Sequence, residues 1–121
     1  MRVVAALALG SAFFLGLSRP AAAQPRLPFP SPAASVSQEI GTSRVTVEYH
    51  RPAVRGRAVW GALVPYGETW RLGANEATTI SLTHAAKVAG KDVPAGTYSL
   101  FALPGKERWT LVLNRKAKQW G

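Results

Sequence analysis

Thr97–Asn114 reads TYSLFALPGKERWTLVLN, and its reading decides the fold. Trp109, Leu111 and Leu113 alternate with Thr110 and Val112, the two-residue period of a strand whose two faces meet different surroundings. Between Thr97–Leu103 and Arg108–Asn114 stands Leu103-Pro104-Gly105-Lys106, which suits a type II turn. Proline would fix one backbone angle there, and glycine would take the positive φ of the next position. The stretch is therefore expected to form an antiparallel hairpin.

The same period recurs upstream. In Arg44–Tyr49, Val45, Val47 and Tyr49 share one face, with Thr46 and Glu48 on the other. Thr78–Thr83 alternates Ile80 and Leu82 with Thr79, Ser81 and Thr83. Ala89-Gly90-Lys91 and Pro94-Ala95-Gly96 mark turns between this segment and the hairpin. Apart from the first residues of the chain, no window carries a sustained apolar stripe at helical spacing. The expected class is all-β, an antiparallel β-sandwich-like domain or a small barrel.

The chain opens on an export signal. Arg2 precedes an apolar run from Val3 to Leu17, Ser18-Arg19-Pro20 breaks it, and Ala21-Ala22-Ala23 offers small side chains for cleavage after Ala23. The run is shorter than the ~18–20 residues that cross a bilayer, so the mature chain is expected to have no transmembrane segment. No twin arginine precedes it, which points to the general secretion route and a periplasmic or extracellular location. Residues 24–35 follow as a proline-rich leader with Pro25, Pro28, Pro30 and Pro32, and residues 36–121 form the β-rich domain. With no cysteine in the chain, neither a disulfide nor a lipidated cysteine is available, and the fold must rest on its apolar core.

The chain carries 15 basic and 6 acidic residues. Losing Arg2 and Arg19 with the signal leaves a net charge of about +7 on an exported domain. Such a charge suits anionic or glycan ligands of a cell envelope. It is scattered rather than gathered into a track, and no specific nucleic-acid motif accompanies it.

Candidate chemistry concentrates in Arg51–Ile80, RPAVRGRAVWGALVPYGETWRLGANEATTI. This segment is long for a connection and rich in large aromatics. Trp60, Tyr66 and Trp70 could form a platform for a sugar or another planar group, with Arg51, Arg55, Arg57 and Arg71 meeting anionic groups. In Gly73-Ala74-Asn75 the asparagine tolerates a left-handed turn conformation, and Glu76 follows at the entry to the next strand. These residues (Arg51, Arg57, Trp60, Tyr66, Trp70, Arg71, Asn75 and Glu76) are the ligand-binding candidates. Glu68 and Glu76 flank Trp70 and Arg71 and are the weak catalytic candidates of a glycan hydrolase. Alternatively both acids pair with Arg71 and Arg51 and simply close the segment onto the sheet. A purely structural partner domain is a third reading. His50 and His84 lack metal-site spacing, no nucleophile elbow is present, and no glycine loop opens a helix, so no metal or cofactor is expected.

The chain resembles the bacterial domain-of-unknown-function family 2911. The likeness is carried by SPAASVSQEIG (Ser31–Gly41), VTVEYHRPAVRGRAVWG (Val45–Gly61), LVPYGETWRLGANEATTI (Leu63–Ile80), VPAGTYSLFALPG (Val93–Gly105) and WTLVLNRKAKQWG (Trp109–Gly121). It implies an exported bacterial β-rich domain and assigns no activity or catalytic residue. Members of that family usually continue past the QWG position, so the domain is expected to be incomplete at its C-terminus. An uncovered strand at Trp109–Asn114 could then invite association.

Overall fold

The structure, a computed structural model, describes residues 30–121. The expected signal and most of the expected proline-rich leader lie outside the described residues. Seven strands are present: β1 (Ala33–Ile40), β2 (Ser43–His50), β3 (Thr79–Leu82), β4 (Ala86–Val88), β5 (Lys91–Val93), β6 (Gly96–Pro104) and β7 (Trp109–Asn114). The fold is all-β, in two antiparallel sheets. One has five strands in the order β1-β2-β3-β6-β7, and the other is the β4–β5 hairpin. Because β1 and β7 are different strands at opposite edges, the large sheet is open and the barrel alternative does not apply.

Register turns the sequence alternation into faces. Val36 pairs with Val47, Val47 with Ile80, Ile80 with Tyr98, and Leu100, two residues beyond Tyr98 on β6, with Leu113. Directly paired residues point to the same side of a sheet. One face therefore carries Val36, Val45, Val47, Ile80, Leu82, Tyr98, Leu100, Ala102, Leu111 and Trp109 in a continuous apolar field. Burial is deepest along β3 and β6, at Leu82, Tyr98 and Ala102, and fades toward both edges, where Val36 is 56% and Leu111 53% exposed.

The opposite face is more polar, and its centre is also covered. Ser99 is completely buried; its hydroxyl donates to Lys116 O and accepts from Gln119 Nε2. This brings the segment after β7 back over β6, and Ala77 N–H then donates to Gln119 O. No helix among the described residues is long and apolar enough to cross a membrane.

Two details differ from the sequence expectations. β1 begins at Ala33, so a strand already runs in the last residues of the proline-rich stretch. Its sequence, AASVSQEI, alternates small and polar residues too weakly to announce itself, and it is strand because it pairs with β2 along its full length. The β6–β7 connection is also not a type II turn over Leu103–Lys106. Pro104 remains in β6, fully buried and paired with Trp109, which leaves Gly105–Arg108 as the loop. Gly105 does not take a positive φ. Its lack of a side chain matters because a Cβ there would lie 2.5 Å from Arg108 O. Gly105→Ala is therefore expected to destabilise the domain by roughly 1–3 kcal/mol through backbone displacement. Urea unfolding of the two proteins checks this, with an unchanged midpoint as the contrary result.

Candidate functional site

The second flank of β6 organises the site. β3 pairs with β6 only as far as Ser99, and Leu100 N–H then donates to Thr78 O. Beyond that point the neighbour of β6 is a different piece of chain. Trp70 and Ala102 exchange both backbone hydrogen bonds at 2.8 Å, and Gly67 N–H donates to Pro104 O. The line Gly67–Trp70 thus continues the path of β3, and Arg71–Ala77 is pushed out of the sheet between them. Thr78 closes this loop at its base, its N–H donating to Arg71 O and its hydroxyl to Leu72 O.

The excluded loop is tightly held. Leu72 and Asn75 both adopt φ of 58°, a left-handed conformation that asparagine tolerates and that is costly for leucine. Gly73 lies so close to β2 that a Cβ would meet His50 O at 2.8 Å. The Asn75 amide donates to Ser31 O, which links the loop to the chain entering β1. Arg71 donates from Nη1 to Gly121 O and lies over the Trp120 ring at 5.6 Å, while its Nε is buried without an acceptor.

Arg51–Tyr66 folds on itself in two turns. In the first, Arg55 takes a positive φ, and Arg57 donates from its backbone to Val54 O, from Nε to the same oxygen, and from Nη2 to Ala53 O. In the second, Gly61 N–H donates to Val64 O, and Gly61 has no room for a side chain beneath the Tyr66 ring. Trp60, on this turn, meets Trp70 and Trp109 edge to face, with ring centroids at 5.5 and 4.9 Å. Trp70 and Trp109 stand 6.1 Å apart on the same side of the sheet. Such edge contacts each add about 0.5–1.5 kcal/mol to ordinary burial, so the three rings clamp the long segment to β6 and β7.

Between these turns and the 71–74 loop lies a groove of about 830 Å³. It collects Arg51, Arg55, Arg57, Trp60, Trp70 and Arg71 of the residues anticipated from sequence, together with His50, Val54, Leu63, Leu72 and Gly73. Among the described residues, no aspartate or glutamate lines it. Among the described residues, ion pairs involving carboxylates are Glu39–Arg44, Glu76–His50 and Asp92–Lys87, and none reaches the four groove arginines.

The remaining anticipated residues stand elsewhere. Tyr66 covers Gly61, and Asn75 ties the loop to Ser31. Glu68 is exposed beside the groove and has no ion pair among the described residues. Glu76 lines a separate depression of about 520 Å³ with Glu48, His50 and Thr79. Its carboxylate lies 3.7 Å from His50 Nε2, not beside Arg71 or Arg51. The expected closure of the segment by Glu–Arg pairs is therefore replaced by hydrogen bonds to backbone and by tryptophan contacts. The two glutamates do not share a cavity. Among the described residues, no three of His, Asp and Glu gather closely enough to hold a metal ion.

Residues 31–121 match the family described as "Protein of unknown function (DUF2911)". The chain belongs to this family. Neither a curated protein nor a solved structure matches it. The DUF2911 match takes in every strand, both turns of Arg51–Tyr66 and the excluded loop.

Sequence reasoning missed Leu72 and Gly73 as site-forming residues because their importance lies in backbone conformation and in an approach to His50 O, neither of which has a spacing signature. Two outcomes follow. Gly73→Ala is expected to lower the midpoint of thermal unfolding clearly, by roughly 4–8 °C for each kcal/mol lost in a domain of this size. Glu76→Gln is expected to change stability by less than about 1 kcal/mol, because Glu76 is 64% exposed and its ion partner is a histidine at 3.7 Å. Differential scanning calorimetry of both variants checks the pair, and a collapse of Glu76→Gln would contradict it.

Proposed function

We propose that this domain is an exported ligand-binding module of the cell envelope and that its ligand is anionic, held in the groove between Arg51–Trp70 and the 71–74 loop. That no aspartate or glutamate side chain among the described residues lines the groove carries this reading. Arg51, Arg55, Arg57 and Arg71 all line it, and no ion pair among the described residues reaches them. Arginine offers paired donors that fit carboxylate, sulfate and phosphate oxygens. The groove's volume is within the range of small-molecule sites, about 300–1,000 Å³. Its fixed turns support binding without a large ordering cost. Export and a periplasmic or extracellular location rest on the signal-like residues 1–23.

A glycan hydrolase using Glu68 and Glu76 draws less support, since those residues line no common cavity. A second, separate proposal concerns association. β7 is an edge strand with Trp109 44%, Leu111 53% and Val112 37% exposed, which favours pairing with another chain. Sedimentation at rising concentration is expected to show self-association that Leu111→Lys reduces, and a strictly monomeric chain would remove the idea.

The binding reading is tested with pyrophosphate and a sulfated oligosaccharide at low salt. At least one of them is expected to raise the melting temperature by roughly 5 °C or more at saturation. The rise should shrink steeply with added salt and in Arg51→Gln/Arg55→Gln, two exposed side chains with no hydrogen-bond or ion-pair partner among the described residues. Melting curves that ignore both anions would sink the proposal.

A further inference from the structure

The groove is more than a basic patch. Val54, Trp60 and Leu63 line it and are 55%, 50% and 52% exposed. These are large apolar side chains open to water inside the same concavity as the arginines. Resting on the anion-binding reading above, we infer that the ligand is an anionic amphiphile: one phosphate or carboxylate head joined to an alkyl or acyl body.

Three observations converge on this class. The first is the juxtaposition itself. A linear polyanion is matched by a track of cations with water-exposed polar surface between them, whereas here the cations share one groove with apolar side chains. Exposed apolar surface concentrated in a concavity marks a binding surface. The second is the state of the head-binding groups. Arg57 is pinned by Ala53 O and Val54 O, which use its Nε and Nη2 and leave other N–H donors for an external acceptor. The Arg51 and Arg55 side chains have no hydrogen-bond or ion-pair partner among the described residues. The third is the fixed backbone. Arg55 and Leu72, on opposite walls, both hold positive φ, and Gly73 is locked against His50 O. Strained, over-determined backbone of this kind accompanies ligand sites. A body lying over Trp60 and Leu63 would remove their exposed surface from water, and an oxyanion at its end would meet the arginines.

The test uses short-chain probes below their micelle concentrations on the full chain, read by calorimetry and by tryptophan fluorescence. Octyl phosphate and octanoate separate a phosphate from a carboxylate head; inorganic phosphate lacks the body and octyl glucoside lacks the charge. At least one of the two charged octyl probes is expected to bind on the order of a hundredfold more tightly than inorganic phosphate, as burial of about four methylenes would give. Octyl glucoside is expected to bind far more weakly. Arg55→Gln should weaken octyl phosphate and inorganic phosphate together, whereas Leu63→Ala should weaken only the octyl anions. Leu63 is half exposed, so its truncation leaves the fold in place.

The outcomes separate the two levels of the reading. If pyrophosphate raises the melting temperature but the octyl anions bind no better than phosphate, the amphiphile is overturned and the anion site stands. If octyl glucoside equals octyl phosphate, or if Leu63→Ala changes nothing while octyl phosphate binds, the combined head-and-body site is overturned. If no anion binds, both readings fall.

Discussion

The reciprocal hydrogen bonds between Trp70 and Ala102 constrain more of this structure than any other single contact. They make a segment with no strand pattern of its own the neighbour of β6 where β3 has already left it. Buried backbone groups need partners, and the upper half of β6 would lack them on this flank without Gly67–Trp70. Once Trp70 is fixed there, its ring reaches Trp60 and Trp109, and the preceding turns are clamped to the same end of the sheet. Arg71–Ala77, caught between Trp70 and Thr78, has no place in the sheet and must leave it as a loop.

That exclusion connects fold to site. A short loop whose base is closed by Thr78 has few conformations, and the left-handed geometry at Leu72 and Asn75 is one consequence. The loop comes to rest against the end of β2 at His50, and the space left between it and the Arg51–Tyr66 turns is the groove. Among the described residues no acid pairs with its arginines, and Arg57 and Arg71 donate to backbone carbonyls.

Much of the fold was legible because strand alternation is a local property. Val45, Val47 and Tyr49, Ile80 and Leu82, and Trp109, Leu111 and Leu113 announce their faces in the order of the residues alone, and β7 has the limits its pattern gives. β1 was not legible, since Ala, Ser and Gln carry little strand preference and only pairing with β2 makes AASVSQEI a strand. The turn after β6 misled for a related reason. Proline and glycine in succession suit a type II turn, but the pairing of Pro104 with Trp109 keeps proline in the ladder and moves the loop two residues on.

For the site, sequence by itself determined the ingredients: several arginines, two tryptophans, a tyrosine and punctuating glycines in one segment, because composition needs no third dimension. The tertiary structure decided which of them meet. It put Arg51, Arg55, Arg57 and Arg71 in one groove with Trp60 and Trp70, and left Glu68 and Glu76 out of its lining. It gave Glu76 to His50 and brought Leu72 and Gly73 into the wall. The physical reason is the register of Trp70 on Ala102. A hydrogen-bond pairing between residues far apart in the chain fixes which neighbours are expelled from the sheet, and no local pattern records that choice.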